Sequence, residues 1–184
     1  LRDFFWNLKV KESDQGLFGV IHPGDEKVYV HSRLCFGYKD SPRVACKVSE
    51  AVAAELRRLG VQCIVFVDDF LICEDSLELC INSMLVVEAL LTDLGFEISA
   101  HKTEGPAKVV TFLGVEVDVR DEHMCYRLPA SKVLKTKGQL EQVALWQQQG
   151  VRKVKAQAMA AIVGMLCFAA RAVPGANVFL RGVW

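Results

Sequence analysis

Apolar residues in this chain fall in short runs whose spacing switches several times between two and three-to-four, so strands and helices are both expected. Trp6, Leu8 and Val10 alternate with Asn7 and Lys9, the period of a half-buried strand. Leu17 to Ile21 and Val28 to Ser32 flank His22-Pro23-Gly24-Asp25-Glu26, which predicts a hairpin with a turn of Pro, Gly and Asp. Ser41-Pro42 opens a helix, with Ser as N-cap and Pro in the first turn. Val44, Val48, Val52, Leu56 and Leu59 keep helical spacing behind it, and Gly60 stops it. Ile64 to Val67 and Phe70 to Ile72 read as two short strands around Asp68-Asp69. Asp75 and Glu78 form an acidic variant of a capping box. The helix it opens carries Leu77, Cys80, Ile81, Met84, Val87, Leu91 and Leu94 on one face, and Gly95 ends it. Phe112 to Val119 and Met124 to Leu128 predict another hairpin around Arg120-Asp121-Glu122-His123. From Ser131 the pattern is helical, to about Gln149 and again from about Lys153 to Ala172, with Pro174-Gly175 as the stop.

Residues 1–119 thus read β, β-hairpin, α, β-hairpin with two acids, α, β. That order predicts an α+β unit, two helices on one face of a small antiparallel sheet. Residues 120–184 are expected to form a second, mostly helical segment.

Asp68 and Asp69 stand out chemically. Two adjacent carboxylates inside an apolar run are costly to bury unless something neutralises them. With Val67 and Asp68 at a tight turn, the acids sit at a hairpin tip. A divalent cation is their natural partner, because Mg²⁺ prefers hard oxygen ligands and shares them with substrate phosphates. The plainer reading, that Asp is a common turn residue, stands beside it.

Composition narrows the classes. With 184 residues and 52% hydrophobic content, the chain can bury a real core. Its 22 basic and 22 acidic residues cancel, so any nucleic-acid surface must be local. The seven cysteines form no C-x-x-C pair and read as small buried hydrophobes, which points to a reducing compartment, cytoplasm or nucleus. The uncharged stretch from Ala158 to Ala170 is too short to span a bilayer, so no membrane role is expected. Lys132, Lys135, Lys137, Arg152, Lys153 and Lys155 either track a nucleic-acid backbone or form the wet face of amphipathic helices. His22, His31, His101 and His123 lack ligand spacing and receive no catalytic role.

Leu1 to Trp6, Leu34 to Pro42, Phe66 to Asp69, Leu94 to Lys102 and Phe112 to Gly114 follow one another in an order that resembles that of reverse transcriptases. Leu1-Arg2-Asp3-Phe4-Phe5-Trp6 resembles the stretch just after that family's first catalytic aspartate. Leu34-Cys35-Phe36-Gly37-Tyr38-Lys39-Asp40-Ser41-Pro42 is similar to its loop-to-helix motif, with Cys35 where proline is usual. Phe66-Val67-Asp68-Asp69 matches the aromatic-x-Asp-Asp signature. Leu94-Gly95-Phe96-Glu97-Ile98-Ser99 with Lys102 resembles the segment ending in a functional lysine, and Phe112-Leu113-Gly114 the primer grip. The tail, Leu128-Pro129, Ile162 to Leu166 and Val173 to Ala176, looks most like tyrosine-recombinase (DIRS-like) retroelements.

The resemblance implies a palm fold and an RNA-directed DNA polymerase activity, extending a DNA primer on an RNA template with deoxynucleotides. It implies Mg²⁺, or Mn²⁺, in a two-metal phosphoryl transfer. Asp68 and Asp69 would hold metal, Lys102 would act as general acid toward pyrophosphate, and Phe5 would be the gate against a 2′-hydroxyl. Asp3, Phe4, Phe36 and Gly37 would complete the nucleotide pocket. The family's first metal-binding aspartate would immediately precede Leu1, and the fingers would lie further upstream. The chain is therefore expected to be a piece of a longer polyprotein, with RNase H or recombinase domains downstream, and inactive by itself. A catalytically dead relic that keeps the palm, and a small α+β interaction domain, are the alternatives.

Overall fold

A computed structural model describes every residue except 121, 122, 174, 177 and 179–184. Asp121 and Glu122 of the expected turn, and Pro174 of the expected helix stop, lie outside the described residues. The chain forms two compact units, Leu1–Pro106 and Ala107–Trp184. The boundary thus precedes residue 119, because the strands on both sides of that position pair with one another.

In the first unit, helices α3 (Ser41–Arg58) and α4 (Leu77–Asp93) pack with an antiparallel hairpin, β3 (Cys63–Phe66) and β4 (Asp69–Ile72). Val52, Ala53 and Leu56 of α3, Val87 and Leu91 of α4, and Val61 and Cys63 make one buried cluster. Phe4, Leu34 and Ala45 make a second. Leu1 and Phe96 pack against both. The arrangement is the α+β one expected.

The buried face of α3 differs from the expected stripe. Val44 and Leu59 are exposed, while Ser41, Ala45, Ser49, Val52, Ala53 and Leu56 are buried. Small residues let the helix approach closely, and Ser49 is tolerated there because its hydroxyl donates to the Ala45 and Cys46 carbonyls. Asp40, not Ser41, is the N-cap residue. In α4 the N-cap is Ser76, whose Oγ accepts from the Leu79 N–H at 3.2 Å, one residue beyond the expected Asp75. Leu77, Ile81 and Leu94 are exposed, and Ser83, Val87 and Leu91 carry the buried face. Glu74 links the elements, accepting from the Ser83 hydroxyl at 2.6 Å and the Gln62 N–H at 3.1 Å.

The strand expected over Trp6 to Val10 is replaced by a helical turn, α1 (Phe4–Asn7), followed by a single bridge between Lys9 and Arg33. Five alternating residues are too few to decide the period. Phe4 and Leu8, four apart, both reach the second cluster, whereas Trp6 is exposed. A further turn, α2 (Glu12–Gln15), precedes the expected hairpin β1 (Gly19–Ile21) and β2 (Val28–Val30), where Val20 faces Tyr29. All seven cysteines are free, but only Cys63 is buried, and burial pushes its thiol up. Cys73 is exposed, against expectation. No helix among the described residues is long and apolar enough to cross a membrane.

The second unit has a three-stranded antiparallel sheet, β5 (Val109–Phe112), β6 (Val115–Asp118) and β7 (Cys125–Arg127). Helices α5 (Ala130–Gln148) and α6 (Ala156–Ala169) follow it. The single strand expected over Phe112 to Val119 is broken by a turn at Leu113-Gly114. Asp118 is buried at the end of β6. It accepts from the Arg120 guanidinium at 2.6 and 3.0 Å and its main-chain N–H at 3.1 Å. Arg127 approaches it at 2.8 Å. Chiefly through the hydrogen bonds from Arg120, its carboxyl is pushed down to about 2.

The folded state therefore favours the ionised form. The contribution of Asp118 is complete above its ordinary value of about 3.9 and is lost as pH falls toward 2. Asp118→Asn should lower the melting temperature at neutral pH and shrink the loss of stability between about pH 4 and 2. Thermal melts across that range check it, and an unchanged acid limb would contradict the assignment.

Candidate active site

The register of β3 and β4 pairs Phe66 with Asp69 and leaves Val67 and Asp68 as a two-residue turn. Val67 has φ 55°, while Asp68 stays at negative φ, the pattern of a type II′ hairpin turn. A β-branched residue in that region costs about 1–2 kcal/mol. The surroundings hold it there, since Val67 packs against the Phe4, Leu34 and Ala45 cluster.

The first residues of the chain lie beside this tip, as expected. The main-chain nitrogen of Leu1 donates to the Asp68 carbonyl at 2.8 Å, and that of Arg2 to the Glu97 carbonyl at 2.8 Å. The Arg2 guanidinium also donates to Glu97 Oε1 at 2.6 Å. Residues 1 and 2 thus thread between the acidic hairpin and the Phe96-Glu97 segment. Asp68 is half-buried and Asp69 exposed. Neither carboxylate has a hydrogen-bond or ion-pair partner among the described residues.

Two adjacent, unpartnered carboxylates fit a hard divalent cation. Among the described residues no group of three or more His, Cys, Asp or Glu gathers to hold a metal. Two carboxylates alone would make only part of a donor set, the remainder being waters or phosphate oxygens as is usual for Mg²⁺.

The structure also brings Phe5 and Phe36 together, their ring centroids 4.9 Å apart and tilted by 35°. Trp6 meets Phe36 edge-on at 6.1 Å and lies 5.7 Å from His31. Phe36 is 68% exposed, so this aromatic ledge is open to a ligand. Gly37 follows with φ 87°, a conformation that suits glycine. The loop is anchored by Ser41, buried, whose hydroxyl donates to the Cys35 carbonyl at 2.6 Å. Sequence reasoning missed that anchor because a serine before proline reads as an N-cap.

Other expected site residues sit as follows. The Phe4 ring is core, 5.4 Å from that of Phe96, so position 4 offers a ligand only its backbone. Asp3 has φ 48°, its side chain is exposed, and its carbonyl accepts from Trp6 and Asn7 in the turn of α1. Lys102 ends a 3₁₀ turn, Ala100–Lys102, exposed and without a side-chain partner among the described residues. In the second unit, Leu113 and Gly114 have φ 50° and 75°, the two positive values of a type I′ turn. The Gly114 carbonyl accepts from the Lys132 ammonium at 2.9 Å, a contact no sequence signal announced.

Residues 1–117 match the family model described as reverse transcriptase (RNA-dependent DNA polymerase). The chain is 29% identical over 120 residues to the Gag-Pol polyprotein of gibbon ape leukemia virus, and 30% identical over 120 residues to that of woolly monkey sarcoma virus. Each match covers 62% of this chain and 7% of the relative, so the chain spans a small part of those polyproteins. It superposes on a foamy viral protease–reverse transcriptase in complex with double-stranded DNA, with TM-score 0.74 at 19% identity, covering 100% of this chain and 29% of that one. It also matches the foamy viral enzyme in complex with an RNA/DNA hybrid, TM-score 0.70 at 20% identity, covering 92% of this chain and 20% of that one.

Removing the anchor of the aromatic loop tests its role. Ser41→Ala leaves the Cys35 carbonyl without its donor and should cost about 1–3 kcal/mol. Urea unfolding reads that loss, and amide hydrogen exchange of Phe36 to Tyr38 should quicken. Unaltered exchange there would show that Ser41 does not hold the loop.

Proposed function

The chain belongs to the reverse transcriptase (RNA-dependent DNA polymerase) family, and on that premise we propose that it forms the catalytic palm of an RNA-directed DNA polymerase within a longer polypeptide. The observation that carries the reading is the unpartnered pair Asp68 and Asp69 on a strained hairpin tip, with Leu1 hydrogen-bonded beside it. The likeness to foamy viral enzymes holding DNA and an RNA/DNA hybrid supports a primer–template duplex as the partner. The similarity to Gag-Pol polyproteins supports a place among further domains, with fingers upstream and RNase H or recombinase domains downstream.

In the reaction, a primer 3′-hydroxyl attacks the α-phosphorus of a deoxynucleoside triphosphate and pyrophosphate leaves. Bound Mg²⁺, or Mn²⁺, would supply charge stabilisation at the attacking and leaving oxygens. Asp68 would share this ion with a carboxylate just upstream of Leu1, and Asp69 would lie nearer the primer terminus. The hairpin tip fixes the backbone from which both carboxylates project, which would limit the reorganisation needed when negative charge develops. Phe5, held against Phe36, would lie under the sugar and leave no room for a 2′-hydroxyl. Phe36 and Gly37 would line the nucleotide pocket, with the backbone of Asp3 and Phe4 toward the triphosphate. Lys102 would hold a proton for pyrophosphate, and Phe112, Leu113 and Gly114 would contact the primer. The DIRS-like affinity of the tail remains part of this proposal.

Primer extension by a polypeptide carrying this chain with its upstream segment tests the reading. Asp68→Asn should cut incorporation by about a hundredfold or more while the melting temperature holds. Phe5→Ala should narrow the deoxynucleotide-to-ribonucleotide efficiency ratio by about tenfold or more. Undiminished incorporation by Asp68→Asn would overturn the assignment of the acids, and an unchanged ratio would make Phe5 a packing residue only.

A further inference from the structure

We infer that Lys132 is a positioning residue for the primer-contacting turn, holding Phe112-Leu113-Gly114 in shape without touching nucleic acid itself. The inference rests on the reading of that turn given under the proposed function. A basic residue in a helix after the palm is ordinarily expected to lie on solvent or phosphate. Lys132 instead turns its ammonium onto the protein. It is half-buried in the first turn of α5, and its ammonium donates to the Gly114 carbonyl at 2.9 Å. The same nitrogen lies 3.9 Å from the ring centroid of Phe168 in α6. No carboxylate pairs with it among the described residues. The turn, α5 and α6 therefore meet at one cation, which satisfies its charge with a carbonyl dipole and an aromatic face.

The turn needs such support. Both central residues have positive φ, and one of them is Leu113, a residue type that avoids this conformation and that is here 44% exposed. An apolar side chain held out at a strained tip is poised for contact, and the strain persists only if neighbours over-determine it. Glycine at 114 serves two ends. It accepts φ 75° without a steric cost, and a Cβ there would run into the Lys132 ammonium. Gly114 and Lys132 are thus coupled, since filling one displaces the other.

The test uses the same polymerase-competent polypeptide, measuring primer–template dissociation constant against salt, nucleotide KM and melting temperature. Lys132→Met should weaken primer–template binding about tenfold, with nucleotide KM nearly unchanged and the salt slope unchanged. Lys132→Arg, which can also donate to the carbonyl and stack on Phe168, should restore most of the binding. Gly114→Ala should reproduce the Lys132→Met loss, and the double variant should be little worse than either single one. If Lys132→Met unfolds the second unit, Phe168→Leu keeps an apolar filling and should give a smaller loss in the same direction. A salt slope reduced by about one phosphate in Lys132→Met would make Lys132 a direct phosphate contact and overturn the inference. A loss in Gly114→Ala with none in Lys132→Met or Phe168→Leu would also overturn it, while leaving the primer-contact reading of the turn intact. No loss in any variant would remove that reading as well.

Discussion

The hydrogen bond from the Leu1 main chain to the Asp68 carbonyl is the joint on which the first unit depends. Together with the bond from Arg2 to the Glu97 carbonyl, it fixes a two-residue segment between the acidic hairpin and the chain leaving α4. The side chains repeat what the backbone does, because Leu1 and Phe96 both pack against the two hydrophobic clusters. The acidic tip and the segment leading to Phe5 meet at that joint. The carboxylates stand on one side of it, and Phe5, four residues along, meets Phe36 on the anchored loop.

Two hairpin tips carry expected site residues, and both hold a bulky side chain at positive φ. Val67 precedes the acids, and Leu113 is the first residue of the turn in the second unit. Glycine or asparagine would relieve the strain at either position. Each tip is braced from outside its own strands, Val67 by the Phe4, Leu34 and Ala45 cluster and Gly114 by Lys132. Strain of this kind survives where surrounding packing over-determines it, which suits sites that must hold a fixed geometry.

The acidic hairpin was legible because an apolar-acid-acid-apolar run leaves few alternatives to a tip. The helix ends at Gly60 and Gly95 were legible for a similar reason, and both glycines have the positive φ of a helix stop. The face of α3 was not legible, since its buried line includes Ser41, Ala45 and Ser49, which hydrophobic spacing ignores. The opening segment misled because Trp6, Leu8 and Val10 suggest a strand, whereas Phe4 and Leu8 satisfy a helical turn equally well. Hydrophobic spacing missed the break at Leu113-Gly114 because leucine is a poor marker of a turn, whereas the family resemblance put the primer-grip hairpin there. The bond from Ser41 to Cys35 is local but has no pattern in hydrophobic spacing, and that from Lys132 to Gly114 spans two elements that only the folded chain brings together.

The central claim, that Asp68 and Asp69 hold a divalent cation, is tested most directly by Mn²⁺ relaxation of the backbone amide spectrum of the 184-residue chain. The account predicts broadening centred on Val67 to Phe70 and on Arg2, abolished by Asp68→Asn with Asp69→Asn. Broadening centred on other acidic residues, with the amides of Asp68 and Asp69 unaffected, would contradict it.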